Sequence, residues 1–239
     1  MRLTIFSLFL LLFCINSVEA SFLEDFFKGV QLPQQSREDS DTTIAGLKEA
    51  LSIGTNNAVL SVSKVDGYFK NEAIKILLPK NIQNIANILS KIGYQKEVDE
   101  FILSMNRAAE KAAPKAKDIF ITAIKDMTIE DAIKILHGGD TAATDYFKSK
   151  TFDKLYEAFK PIISKSMNDV GTTRAYKNMT EKYISAVPFS GLESFDLDHY
   201  VTTKALDGLF YMIALEEKKI RTDPAARVTE LLRKVFGRE

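Results

Sequence analysis

The densest run of side chains with chemical potential is Ser104-Met105-Asn106-Arg107-Ala108-Ala109-Glu110. Asn106, Arg107 and Glu110 fall on neighbouring turns of a helix, and Arg107 and Glu110, three positions apart, can pair along it. Two chemistries suit such a trio. Turned inward, it forms a hydrogen-bonded network that fixes helix register. It then needs partners such as Asp207 or Glu216, because a buried charge without one is costly. Turned toward a cleft, it binds a polar ligand or serves a hydrolase. Arg227, in the run Asp223-Pro224-Ala225-Ala226-Arg227, joins the trio as a binding candidate.

A second grouping is Asp196-Leu197-Asp198-His199, with Glu216 and Glu217 one helix further on. Its carboxylates suit calcium and its imidazole suits zinc. The competing reading is structural: Asp196 or Asp198 caps the following helix and His199 sits in its first turn. His137 and His199 are the only histidines, so a His-based acid–base mechanism has few candidates. The chain has no Gly-rich phosphate loop, no Gly-x-Ser-x-Gly elbow and no His-Glu-x-x-His. Ser61-Val62-Ser63-Lys64 matches a Ser-x-x-Lys pattern without the companion motifs that give it meaning. The sequence therefore implies no cofactor and leans away from an enzyme.

The elements that must position these residues are helices. Ile82, Ile85, Ala86, Leu89 and Ile92 form one apolar stripe, and Val98, Phe101, Ile102, Met105, Ala108, Ala109 and Ala112 a second. Phe152, Leu155, Tyr156, Phe159, Ile162 and Ile163 form a third, and Val228, Leu231, Leu232, Val235 and Phe236 a fourth. Each repeats the three-then-four spacing of a single helix face. The helix spanning 198–221 is apolar around much of its girth and reads as central. Gly93 closes one helix, Pro114 opens another, and Thr128 with Glu130 and Asp131 starts a third. His137-Gly138-Gly139-Asp140 reads as stop, turn and restart, with Asp140 capping the next helix. Pro161 should kink or break the helix that contains it. Two segments fit an extended backbone better, Ala73–Leu78 before Pro79 and Val187–Leu197. The expected fold class is therefore all-α, a single antiparallel multi-helix bundle with room for one small two-strand β ribbon.

Residues 1–20 read as a secretory signal: Arg2, an apolar core from Leu8 to Ile15, and Val18-Glu19-Ala20 before the cleavage point. Cleavage near Ala20 removes Cys14, the only cysteine, and leaves a charge-balanced chain suited to the periplasm or the exterior. Residues 21–41 follow as an apolar segment, Phe22 to Val30, and a polar linker. The helical domain is expected over 42–239. With 32 basic and 32 acidic residues, the chain lacks the basic excess of a nucleic-acid binder. No stretch beyond the leader is apolar enough to span a membrane. Asn178-Met179-Thr180 is a glycosylation sequon that matters only in a eukaryotic source.

The run Ser104–Glu110 resembles the Ser-Leu-Asn-Arg-Ala-Ala-Glu signature of a bacterial family of exported proteins, domain-of-unknown-function family 4197. Met105 stands here in place of the leucine, a mild change in an apolar slot. The resemblance extends from about Ile44 to Gly237. It takes in Met127–Ala132, the turn Gly139–Thr144 and the closing run from Tyr200 to Gly237. It implies an exported, helix-rich protein and brings no catalytic residues with it. The function that follows is a non-enzymatic binding or structural protein of the cell envelope, whose partner is an envelope protein. A carrier of a lipid or other amphiphile, held between helices, is the alternative. A hydrolase around Asn106, Arg107 and Glu110 comes after that.

Overall fold

The apolar stripes become helices. The structure, a computed structural model, describes residues 34–169, 196–223 and 229. In chain order the helices are α1 (Gln34–Ser63), α2 (Lys80–Leu89), α3 (Gln95–Ala112), α4 (Ala116–Lys125), α5 (Ile129–Leu136), α6 (Ala142–Asp169) and α7 (Leu197–Thr222). A π turn, Ser90–Tyr94, leads into α3, and a 3-10 turn, Ala113–Lys115, links α3 to α4. The chain divides into two compact units, Met1–Thr42 and Thr43–Glu239, and the second contains the core. Residues 34–41, part of the stretch read as a polar linker, are helical and begin α1.

The fold is all-α. α6 organises it, packing most extensively against α3 and α7 and also touching α4 and α5. Its Phe147, Leu155, Phe159, Ile163 and Met167 are fully buried. α3 meets it with Met105, Ala108, Ala109 and Ala112, none of them exposed, and these small side chains permit close helix approach. Phe120 of α4 packs edge-on against Phe147 with centroids 5.3 Å apart, and against Phe210 of α7 at 6.3 Å. Such edge contacts contribute about 1 kcal/mol each beyond area burial. α7 is less central than its composition suggests: Lys204, Asp207, Tyr211 and Leu215 keep a solvent edge.

Of the kink or break expected at Pro161, the break does not occur: α6 continues through that residue. Burial of Phe159 and Ile163 on either side outweighs the one backbone bond that proline removes. Thr128 opens α5 with a full capping box, its hydroxyl accepting from Asp131 N while the Asp131 carboxylate accepts from Thr128 N. α1 reaches α4 through Lys48, whose ammonium donates to Met127 O at 3.0 Å, close to the carbonyl-rich end of α4.

No strand occurs among the described residues, so the β ribbon is not formed there. Its second half, Val187–Phe195, lies outside the described residues. So do the leader, the Phe22–Val30 segment, Asn178, Arg227 and the stripe from Val228 to Phe236. Within the first stripe Ile82 and Ala86 are buried, while the side chains of Ile85, Leu89 and Ile92 are outside the described set.

Candidate functional site

The segment between α1 and α2, residues 64–79, has no regular secondary structure, and α3 holds it in place. α1 stops at Ser63 because the chain turns sharply: Asp66 takes a left-handed conformation, φ 68°. At Gly67 an added Cβ would lie 2.6 Å from the carbonyl oxygens of Ser61 and Val62, so only glycine fits. Beyond the turn, Asn71 Oδ1 accepts from Ala73 N and closes a second local turn. The chain then extends. Ile74, Ile76 and Leu78 are buried while Leu77 is exposed, the alternation of a strand.

Asn106 takes the place of a neighbouring strand. Its Oδ1 accepts from Ile76 N and its Nδ2 donates to Ile76 O, both at 2.8 Å, which is the two-point exchange of an antiparallel pair. The same Nδ2 donates to Ile102 O within α3. Of the segment Ala73–Leu78, Ala73 and Ile74 still belong to the turn closed on Asn71 O, and only Lys75–Leu78 runs free of turns, with a side-chain amide as its described partner instead of a strand. From α7, the Tyr200 hydroxyl adds a bond to Leu77 O at 2.9 Å.

One helical turn on, Glu110 holds the other end of the segment. Its Oε1 accepts from the backbone N–H of Tyr68 and Phe69, at 3.1 and 3.2 Å. Its Oε2 accepts from Arg107 Nη1 at 2.6 Å, and Arg107 Nη2 donates to Asp66 Oδ1, also at 2.6 Å. Lys70 completes the chain of charges on Asp66 Oδ2. Glu110 is buried, whereas Arg107 and Asp66 reach the surface. The Lys70 ammonium, followed by the Arg107 guanidinium, holds the Asp66 carboxyl below its ordinary range. Glu110, then Asp66, raises the affinity of Arg107 for its proton. Arg107 also stands over the Phe69 ring, 5.8 Å from its centroid.

Tyr68 is the anchor of the segment. Its ring is fully buried and its hydroxyl donates to Ala205 O of α7 at 2.7 Å. Burial, with the Glu110 charge second, pushes its phenol far above the ordinary range. Gly208 makes room for it, since a Cβ there would lie 2.8 Å from a ring carbon of Tyr68.

The structure thus brings Asn106, Arg107 and Glu110 together, but not onto the expected partners. Asp207 pairs with Lys204, and Glu216 with Lys219 and Asn57. The trio's partners are Asp66 and the backbone of Tyr68, Phe69 and Ile76. Asp196 caps α7, accepting from His199 N at 2.9 Å, and that bond chiefly lowers its carboxyl. His199 Nδ1 bonds the Tyr156 hydroxyl at 2.7 Å, and Asp198 stays in the first turn. Among the described residues, no group of three or more His, Cys, Asp or Glu gathers as a metal site.

Glu217, grouped in the sequence with Asp196, Asp198 and His199 as a candidate metal ligand, is a buried carboxylate with a different role. Glu217 of α7 accepts from Ala143 N and Thr144 N, both at 2.9 Å, and so caps α6. Asp140, the expected cap, does not make these bonds. Arg221 donates to Glu217 through Nε and Nη2 and to Ile135 O at the end of α5. A Glu-x-x-x-Arg spacing inside an apolar helix was the available signal.

The model of the family described as "Protein of unknown function (DUF4197)" matches residues 37–237. The chain belongs to that family. No curated protein and no solved structure matches it. In this DUF4197 chain, then, the polar residues of Ser104–Glu110 hold the segment 64–79 onto α3. Ser104 itself donates to Phe101 O within its own helix.

Proposed function

We propose that this DUF4197 protein is exported and acts as a non-enzymatic structural or interaction protein of the cell envelope. The observation that carries the reading is the use made of Glu110. Its two oxygens receive two backbone N–H groups and one guanidinium, all from its own chain. A catalytic carboxylate needs an oxygen free to meet substrate within hydrogen-bond reach. Asn106 is engaged in the same way, on Ile76 and Ile102. Asn106 and Glu110 turn inward and Arg107 reaches the surface, and together they form a network on a surface segment. Export is supported by Arg2, the apolar run Leu8–Ile15 and the small residue Ala20.

The test is native mass spectrometry of the chain recovered from a bacterial periplasm, paired with melting of Glu110→Gln. A chain beginning near Ser21, bare of any adduct, with a variant that melts several degrees lower, is the expected result. A stoichiometric adduct removable by solvent would replace this reading with the lipid carrier. A variant with an unchanged melt that loses a hydrolytic activity would replace it with the hydrolase. Retention in the cytoplasm with residues 1–20 intact would overturn export.

A further inference from the structure

A cleft of about 310 Å³ separates α4 from α6, on residues that take no part in the clamp. Its walls are two ridges, each built on the four-residue helical repeat. α4 presents Asp118, Thr122 and Asp126; α6 presents Tyr146, Lys150 and Lys154. One wall is therefore anionic and the other cationic. Opposed charges of this kind usually close into ion pairs, as Lys134 and Glu130 do nearby at 2.7 Å. Among the described residues Asp118, Asp126, Lys150 and Lys154 form no ion pair; Lys150 instead stands 5.9 Å from the centroid of Tyr146.

Tyr146 fixes the spacing of the walls. Its hydroxyl donates to Ala123 O at 2.9 Å, which ties α6 to the backbone of α4 and holds the ridges apart. Partial burial, then the charges of Asp131 and Asp126, raises its phenol above the ordinary range, consistent with its place at the acidic end of the cleft. Ile119 and Ala123 give the cleft an apolar face. The volume lies at the lower end of small-ligand pockets, about 300 Å³.

We propose that the α4/α6 cleft binds a small zwitterion, its ammonium toward the acidic wall at Asp118 or Asp126, which stand about 12 Å apart along the helix axis, and its anionic group toward Lys150 and Lys154. Neither a simple anion nor a simple cation satisfies both walls, and each would leave one pair of like charges facing it. An apolar body between the ligand's charged ends rests on Ile119 and Ala123. Two sources share this chemistry: a free amino acid or short peptide, and an aminophosphate headgroup. The site stands independently of the structural role proposed above.

The experiment is a two-dimensional amide NMR titration of the full mature chain with four probes. These are the dipeptide Ala-Leu, its N-acetylated form, its C-terminal amide, and phosphoethanolamine. Expected is a saturable shift of amides in 118–126 and 146–154 with a zwitterionic probe, and affinity at least about tenfold weaker for either single-charge dipeptide. Lys150→Gln with Lys154→Gln should weaken zwitterion binding to a similar degree while the melting temperature holds, since both are surface changes. Tighter binding of phosphoethanolamine assigns a headgroup; tighter binding of Ala-Leu assigns the free zwitterion. Absence of saturable shifts up to about 10 mM of either zwitterion overturns the proposal. So does equal binding of the single-charge dipeptides.

Discussion

Glu217 accepts three hydrogen bonds at 2.9 Å from the start of α6, two of them from Thr144 alone through its amide and its hydroxyl. The α6 N-terminus is thus capped by a carboxylate that lies 73 residues away on α7. Negative charge belongs at that end of a helix, where free N–H groups and the dipole favour it. Glu110 stands in the same relation to Tyr68 and Phe69. Each glutamate serves two consecutive backbone amides and is itself held by an arginine of its own helix, Arg107 or Arg221.

Replacing Glu217 with glutamine should cost nearly as much as replacing it with alanine. Ala143 N, Thr144 N and Arg221 are all donors, so the new amide group would point its own donors at them. The loss should be about 3 kcal/mol, seen as a melting temperature lower by about 6–12 °C. Denaturant and thermal melts of both variants would settle it. A glutamine variant within about 0.5 kcal/mol of the parent would mean that the capping charge contributes little.

Asn106 offers a sharper test, because one side chain serves both an N–H and a C=O. Asn106→Leu fills the same space but strands both polar groups of Ile76 and should destabilise by about 2–4 kcal/mol. Asn106→Asp keeps the acceptor for Ile76 N while setting a carboxylate against Ile76 O. At neutral pH it should be no better than leucine and should recover stability on acidification, when the protonated acid regains a donor. Equal melts of the asparagine and leucine forms would show that the segment 74–78 is held by its apolar side chains alone.

The helices were legible because their signal is local. Val98, Phe101 and Met105 repeat at helical spacing, and Thr128 announces the capping box of α5 within four residues. The clamp was half legible. Asn106, Arg107 and Glu110 could be singled out as a polar trio among alanines, yet their partners could not be named. Tyr68 and Phe69 contribute backbone N–H groups, which every residue but proline carries, and Glu110 lies about forty residues away from them. Charge-matching therefore pointed to Asp207 and Glu216, which spend their charges on Lys204 and Lys219, neighbours in their own helix. Ala73–Leu78 shows the same limit: β-branched alternation pointed to the course of Lys75–Leu78 but not to the turn that holds Ala73 and Ile74, nor to the amide that replaces the second strand.

Acid should loosen the clamp through Asp66. Its folded-state carboxyl titrates below the ordinary 3.8, held there by Lys70 first and Arg107 second. A depressed carboxylate contributes stability that is complete above its unfolded value and disappears as pH falls through the folded one. Stability of the parent should therefore fall as pH drops below about 4, and Asp66→Asn should flatten that slope while lowering the neutral-pH plateau. Urea melts across pH 2.5–6 would read both. An unchanged slope in the variant would assign the acid sensitivity to other carboxylates.

Gly208→Ala sets two effects of opposite sign against each other. Inside a helix, alanine is favoured over glycine by about 1 kcal/mol. At this position the new methyl would lie 2.8 Å from a ring carbon of Tyr68 and 3.1 Å from Ile74 Cβ. The ring cannot swing aside, because it is fully buried and its hydroxyl is fixed on Ala205 O. Overpacking of this kind costs about 1–3 kcal/mol, so the net change should be destabilising. Tyr68→Leu removes the ring and its hydrogen bond, costing stability on its own, and relieves the 2.8 Å contact while the 3.1 Å approach to Ile74 Cβ stays. In the Tyr68→Leu background Gly208→Ala should therefore cost less than in the parent, a positive coupling that a thermodynamic cycle of four melts would reveal. Additive behaviour across that cycle would mean that Tyr68 does not dictate the glycine.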